Sequence, residues 1–215
     1  AILGDTTAAT AAATEALALL GDRPARPFAA EVARAVAWAP VAAGDVISAE
    51  AALCDAAESA RAAGNRTIEA GSLFDAVRVG SSHATQRRLL ELATTIQGPL
   101  ADGWVRYTTG VLDDDPSALE QAGEHFASLG FLMVAAEAFT LASRSHHRHG
   151  VAAGARRAGG RAAALRDSID ALGAHQLDLP PDLPTLSRRE QQIAVLAADG
   201  RSSRQIAEQL AVSTR

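Results

Sequence analysis

Residues 119–139 read LEQAGEHFASLGFLMVAAEAF. Leu119, Ala122, Gly123 and Phe126 recur at spacings of three and four, which puts them on one face of a helix. Gly130 interrupts the run. Beyond it Ala135, Phe139 and Ala142 resume the same spacing. Two helices joined by a short glycine turn bury such faces against each other, and small residues on one opposite large residues on the other let the pair pack closely. The whole unit spans 116–149. Gly64 and Gly98 also sit between two helical runs, so that Gly64, Gly98 and Gly130 follow one another at 34 and then 32 residues. Around Gly64 the matching face is Leu53, Ala56, Ala57, Ala60, Ala70 and Phe74. The unit around Gly98 fits the pattern poorly.

Working outward, helical signals predict an all-α fold. Asp5 and Thr6 are candidate N-caps for a helix over 5–20 that ends at Gly21. Residues 28–38 form a second, stopped by Pro40. Further helices are predicted at about 49–63, 66–79, 83–97, 99–112, 117–129, 131–148 and 151–172. No run of alternating β-branched residues predicts a strand. Composition agrees: 48% of the residues are hydrophobic but only 4% aromatic. The core must therefore be built from small aliphatics, chiefly alanine, the strongest helix former. The single cysteine, Cys54, lies among Ala52, Leu53 and Ala56 and reads as a small buried hydrophobe. With no second cysteine to pair with, it suits a reducing cytoplasm. No secretory signal and no apolar run of spanning length is seen, so no membrane partner is expected. The chain starts without methionine and stops at Arg215 inside a motif, and a fragment of a longer protein is expected.

The clearest boundary is 174–185, AHQLDLPPDLPT, where three prolines exclude a helix and favour an extended linker. It separates a helical domain at 1–173 from a C-terminal segment at 186–215. The net charge of −5 is unevenly placed. Residues 185–215 carry +2 and the remainder −7, an acidic body with a mildly basic end. The segment reads LSRREQQIAVLAADGRSSRQIAEQLAVSTR. Ser187 with Glu190 forms a capping box, and Ile193, Leu196 and Ala197 form an apolar face ending at Gly200. Ser202 caps a second helix, Arg204 to Leu210, with Ile206, Ala207 and Leu210 on one face. Ala211, Val212 and Ser213 make a tight turn before a third. Three short helices so spaced are the plan of a helix-turn-helix, whose last helix enters the major groove.

This segment resembles the LuxR-type DNA-binding domain. Leu186, Ser187, Arg189, Glu190, Ile193, Leu196, Gly200, Ser202, Ile206, Ala207, Leu210, Val212, Ser213 and Arg215 carry the resemblance, and Ser203 departs from it where the family often has asparagine. The family continues with a recognition helix after the position of Arg215, so the domain is expected to be truncated here. Ser202, Ser203 and Arg204 are the candidate phosphate contacts, and Thr214 and Arg215 would begin the recognition helix. The helical part resembles a tetratricopeptide-like array, and with the phrase at 119–139 it is similar to the large, MalT-like LuxR regulators. That resemblance implies a DNA-binding transcription regulator of bacteria, with ATP bound by a further N-terminal module. This chain has no G-x-x-x-x-G-K-[ST] loop and no lysine, so no cofactor is expected in it. Expected partners are DNA, a protein or small-molecule effector on the helical surface, and further copies of the chain. The alternative is a tetratricopeptide-like interaction scaffold that does not bind DNA.

Other clusters read more plainly. Adjacent His146 and His147 point about 100° apart around a helix; His146 and His149 share a face, but with no cysteine or paired acid near in sequence the cluster suits a solvated C-terminal end better than a metal. Asp113, Asp114 and Asp115 precede Pro116 as a capping loop. Arg156, Arg157, Arg161 and Arg166 are expected to pair with the acidic body rather than with phosphate. No nucleophile triad, phosphate loop or paired-carboxylate motif stands out, and the chain is not expected to be an enzyme.

Overall fold

Five helices begin where a short polar side chain accepts a hydrogen bond from a backbone N–H two or three residues on. Asp5 accepts from Ala8 at 2.8 Å, Asp45 from Ser48 at 3.0 Å and Asn65 from Ile68 at 3.2 Å. Ser82 accepts from Thr85 at 3.3 Å and Asp115 from Ser117 at 2.8 Å. Each satisfies one of the donors that a helix start leaves without an internal partner. The computed structural model describes residues 5–21, 28–171 and 205, and the described residues are all-α with no strand. In order the helices are α1 (Thr6–Leu20), α2 (Ala29–Val36), α3 (Trp38–Ala42), α4 (Val46–Ala62) and α5 (Arg66–Val79). They continue with α6 (His83–Ala93), α7 (Pro99–Leu112), α8 (Pro116–Ser128), α9 (Leu132–Arg148) and α10 (Ala152–Ala171). The chain divides into two units, Ala1–Leu177 and Asp178–Arg215, and all ten helices belong to the first.

From α4 to α10 each helix packs on the next. The connections are a few residues long, so neighbours run antiparallel. Gly64 and Gly130, at φ 72° and 82°, reverse the chain between α4 and α5 and between α8 and α9. In both turns the N–H of the following residue returns to a carbonyl five positions back, Asn65 to Ala60 and Phe131 to Phe126, each at 2.9 Å. That bond closes a helix end whose carbonyls would otherwise lack partners. The three expected turns near Gly64, Gly98 and Gly130 are all present and define three hairpins: α4 with α5, α6 with α7, and α8 with α9.

The expected core is also present. Leu53, Ala56, Ala57, Ala60, Ala70 and Phe74 are buried, as are Leu119, Ala122, Phe126, Ala135, Phe139 and Ala142. Glycines receive the large side chains of neighbouring helices. A Cβ built on Gly103 would lie 2.8 Å from the Phe126 ring, one on Gly110 2.7 Å from Leu119, and one on Gly123 2.8 Å from the Phe139 ring. Small-against-large packing is thus what brings these helices together.

Three local expectations need correction. Pro40 does not stop the helical course: α3 carries it at its third residue, within the first turn, where the missing N–H has no helical acceptor to lose. The helix expected over 83–97 ends at Ala93, and Thr95 and Ile96 then bond back to Leu92 and Ala93 in tight turns. Cys54 is only half-buried, beside the small cluster of Ala37, Leu53 and Ala76.

The short α6 explains why the unit around Gly98 fits poorly. It leaves the first hairpin free to reach the third: the Phe74 ring of α5 lies 5.6 Å from Phe126 of α8 and 5.2 Å from Tyr107 of α7. With Trp104, these rings make the centre of the main core.

Candidate functional site

Charged side chains buried in the helical unit are the first place to look for built chemistry, because burying a charge is costly unless it is paired. Arg78, on α5, donates Nε and Nη2 to the two carboxylate oxygens of Glu137 on α9, both at 2.7 Å. Its Nη1 also donates to Asp75 at 3.1 Å. The other Asp75 oxygen accepts from Arg34 Nε at 2.7 Å and from the Trp38 indole at 3.2 Å. The Arg78 guanidinium lies 4.7 Å from the centre of the Trp38 ring. Two arginines and two carboxylates balance, so the network has no charge left over for an ion. Burial alone would lower the Arg78 pKa, but Glu137 and Asp75 outweigh it and hold the group above its ordinary value. Burial, reinforced by Glu137, pushes the neighbouring Tyr107 phenol above its ordinary value. The arrangement ties α2, α3, α5 and α9 in one register. Each oxygen of its two carboxylates accepts from a guanidinium, so its groups are spent on one another.

Sequence reasoning missed this network. A signal existed: Asp75, Arg78 and Glu137 are single charges embedded in runs of small or apolar residues, FDAVRV and VAAEAF. Asp75 and Arg78 stand at i,i+3 on one helix, but the partners that complete the network, Arg34, Trp38 and Glu137, lie 37 to 59 residues away, beyond any spacing rule.

The second cluster surrounds α10. Glu120 of α8 accepts from Arg157 of α10 at 2.8 Å and is hydrogen-bonded to His146 Nε2 of α9 at 2.9 Å. One turn further along, Arg161 donates to Glu124 at 2.7 Å and covers the Phe139 ring at 4.2 Å. Arg166 donates to the Thr140 hydroxyl at 3.2 Å. Arg157 and Arg161 therefore pair with the acidic body, as expected. His146 departs from expectation. It is not a solvated helix end but a largely buried ring, seated where a Gly154 Cβ would be 2.6 Å from its Nδ1. His149 stays outside and approaches Asp114 at 3.4 Å. Asp115 caps α8 as expected. Asp114, at φ 50°, bonds Arg148, and its carbonyl accepts from the Ser145 hydroxyl at 2.9 Å. No group of three His, Cys, Asp or Glu residues that could hold a metal occurs among the described residues. None of the described helices is long and apolar enough to cross a membrane.

The predicted DNA contacts, Ser202, Ser203, Arg204, Thr214 and Arg215, lie outside the described residues, as does the linker at 174–185. Gln205 is described, and it is helical and exposed, within the second predicted helix of the motif.

Comparison with known proteins bears on this segment. Residues 184–215 match the family GerE, bacterial regulatory proteins of the luxR family. No curated protein and no solved structure matches the chain. The match covers the C-terminal segment and does not extend to α1 to α10.

Proposed function

We propose that the chain is part of a DNA-binding transcription regulator, with a helical body that receives a signal or mediates assembly and a C-terminal segment that meets DNA. The luxR-family match over residues 184–215 carries this reading. Ser202, Ser203 and Arg204 open the second helix of the motif. Free backbone N–H groups and the helix dipole there favour a phosphate, and Arg204 adds a cation. Phosphate contacts position such a protein, whereas base contacts specify its site. On this reading Ser202, Ser203 and Arg204 would supply positioning contacts, and Thr214 and Arg215 would stand at the start of the base-reading helix.

The body is read as a tetratricopeptide-like sensor or assembly module. Its three antiparallel hairpins support that reading, as does the thirty-odd-residue period of their turns. A protein or small-molecule effector, or further copies of the chain, would be its partners. The lone Cys54 suits the reducing cytoplasm in which such regulators work.

Titration of labelled promoter fragments and scrambled DNA at fixed salt tests the proposal. The 215-residue chain should bind weakly and without preference, at a Kd no better than about 10⁻⁴–10⁻⁶ M. A chain extended through a complete third helix should bind tightly and selectively. In that longer chain Arg204→Ala should weaken binding to all sequences alike. An extended chain that ignores DNA would leave the scaffold reading in its place. Selective nanomolar binding by the 215-residue chain would refute the assignment of base reading to the third helix.

A further inference from the structure

The helices of the body are not held equally. In α5 nine consecutive residues, Glu69 to Val77, are buried. In α10 the buried positions among residues 152–169 are Gly154, Ala158, Ala162 and Ile169, three of them glycine or alanine. Much of what fixes α10 is polar and lies near the surface. Arg157 and Arg161, four residues apart, pair with Glu120 and Glu124, also four apart, so the two rungs define one register against α8. Glu120 is the hub, because it also meets His146 and so joins α8, α9 and α10 in one contact.

Two notches define the same register against α9. The His146 ring fills the space over Gly154. Ser143 sits over Gly159 and donates its hydroxyl to the Ala155 carbonyl at 2.7 Å. A slide of one turn would bring Ala158 under His146, where its methyl has no room. Buried side chains that are mostly glycine and alanine contribute little apolar burial, so that polar, partly exposed ties carry much of what keeps the segment closed. The steric notches allow that segment one seat when it closes.

We propose that α10 is a detachable output helix: it leaves and regains a single seat on α8 and α9, with Glu120 as its latch, while α4 to α9 stay folded. This rests on the reading of the chain as a regulator for its purpose, since α10 is the helix that leads toward residues 184–215. Its motion is testable without DNA.

A staple provides the test. A Cβ on Gly159 would lie 3.9 Å from the Ser143 Cβ, within the 3.5–4.5 Å that a disulfide spans. Amide hydrogen exchange is followed on the full chain, wild type and Ser143→Cys/Gly159→Cys. In the wild type the amides of α10 should exchange about tenfold or more faster than those of α5 and α7. Oxidation of the double variant should bring α10 to the rate of α5, and a reductant should reverse that. Glu120→Gln, which needs no engineered bond, should speed exchange in α10 severalfold and leave α5 unchanged. The proposal is overturned if wild-type α10 exchanges together with α5. It is equally overturned if Glu120→Gln speeds every helix alike, or if oxidation does not change α10. Because no outcome involves DNA, failure of the DNA-binding reading would leave this result standing.

Discussion

Replacing Gly123 by alanine inverts an ordinary expectation. In a helix interior glycine is worse than alanine by roughly 0.5–1 kcal/mol, so the exchange normally stabilises. At Gly123 a methyl would meet the Phe139 ring at 2.8–2.9 Å on three of its carbons. The ring cannot retreat cheaply, because it is fully buried and Arg161 covers it at 4.2 Å. Overpacking of this kind costs about 1–3 kcal/mol. Set against the helix gain, Gly123→Ala should lose about 1–2 kcal/mol, or roughly 2–8 °C in Tm for a domain of this size. Gly160 supplies the control. It is exposed in α10, with nothing within 4 Å of a built Cβ, so Gly160→Ala should gain about 0.5–1 kcal/mol. Phe139→Ala should lose about 3–5 kcal/mol. In that background Gly123→Ala should recover its ordinary sign, leaving a coupling of about 2 kcal/mol between the two positions. Urea titrations of the four chains of the cycle, with Gly160→Ala alongside, measure all of this. Equal stabilisation by Gly123→Ala and Gly160→Ala, or additivity of Gly123→Ala with Phe139→Ala, would refute the claim that the glycine exists to seat the ring.

Arg78→Met alone should cost about 3–5 kcal/mol, since it strands the Glu137 charge in the core, whereas Arg78→Met/Glu137→Met should regain most of the loss; a double variant no better than the single one in denaturant would contradict this account. The Asp114 carboxyl is held below its ordinary 3.8 chiefly by its bond to Arg148. Its contribution is therefore present at neutral pH and is lost as the pH falls below about 3.8 through the folded value. Asp114→Asn, which tolerates the same backbone, should lose no more than about 1 kcal/mol at pH 7 for so exposed a pair. The deficit should shrink toward pH 2, and urea midpoints at the two pH values that differ by a constant amount would count against the pairing. Burial raises the Cys54 thiol above its ordinary value. Its reaction with a chromogenic disulfide at pH 8 should therefore be slower in the folded chain than in urea, and equal rates would place the thiol in open solvent.

Most of the helical course was legible because helices are written locally. Caps such as Asp5, turn glycines such as Gly64 and Gly130, and the spacing of Leu119, Ala122 and Phe126 are all short-range signals. They place α1, α5, α7, α8 and α9 to within a residue or two. What escaped was long-range. Nothing within α6 announces that it stops at Ala93, since Thr94 to Gln97 do not oppose a helix strongly. Pro40 disfavours helix at the residue before it, which reads as a stop, but a first-turn position accepts it. His146 looked like a solvent-facing residue of a polar helix end. Its burial depends on Gly154, which belongs to the next helix, and on Glu120, which belongs to the previous one. The C-terminal segment is the reverse case. Its sequence pattern is specific enough to match a family, whereas the DNA contacts predicted for it lie outside the described residues.

The direct meeting of the first and third hairpins, through Phe74 with Phe126 and Arg78 with Glu137, bears on how such a body can change in evolution. An open stack of hairpins contacts only nearest neighbours, so units can be duplicated or deleted along its length. Here an extra hairpin inserted after α5 or after α7 would prise Phe74 from Phe126 and leave Arg78 and Glu137 buried apart. Growth is confined to the two ends. Relatives of this body should vary in how many helices precede α4 or follow α9, while the count between α4 and α9 stays at six.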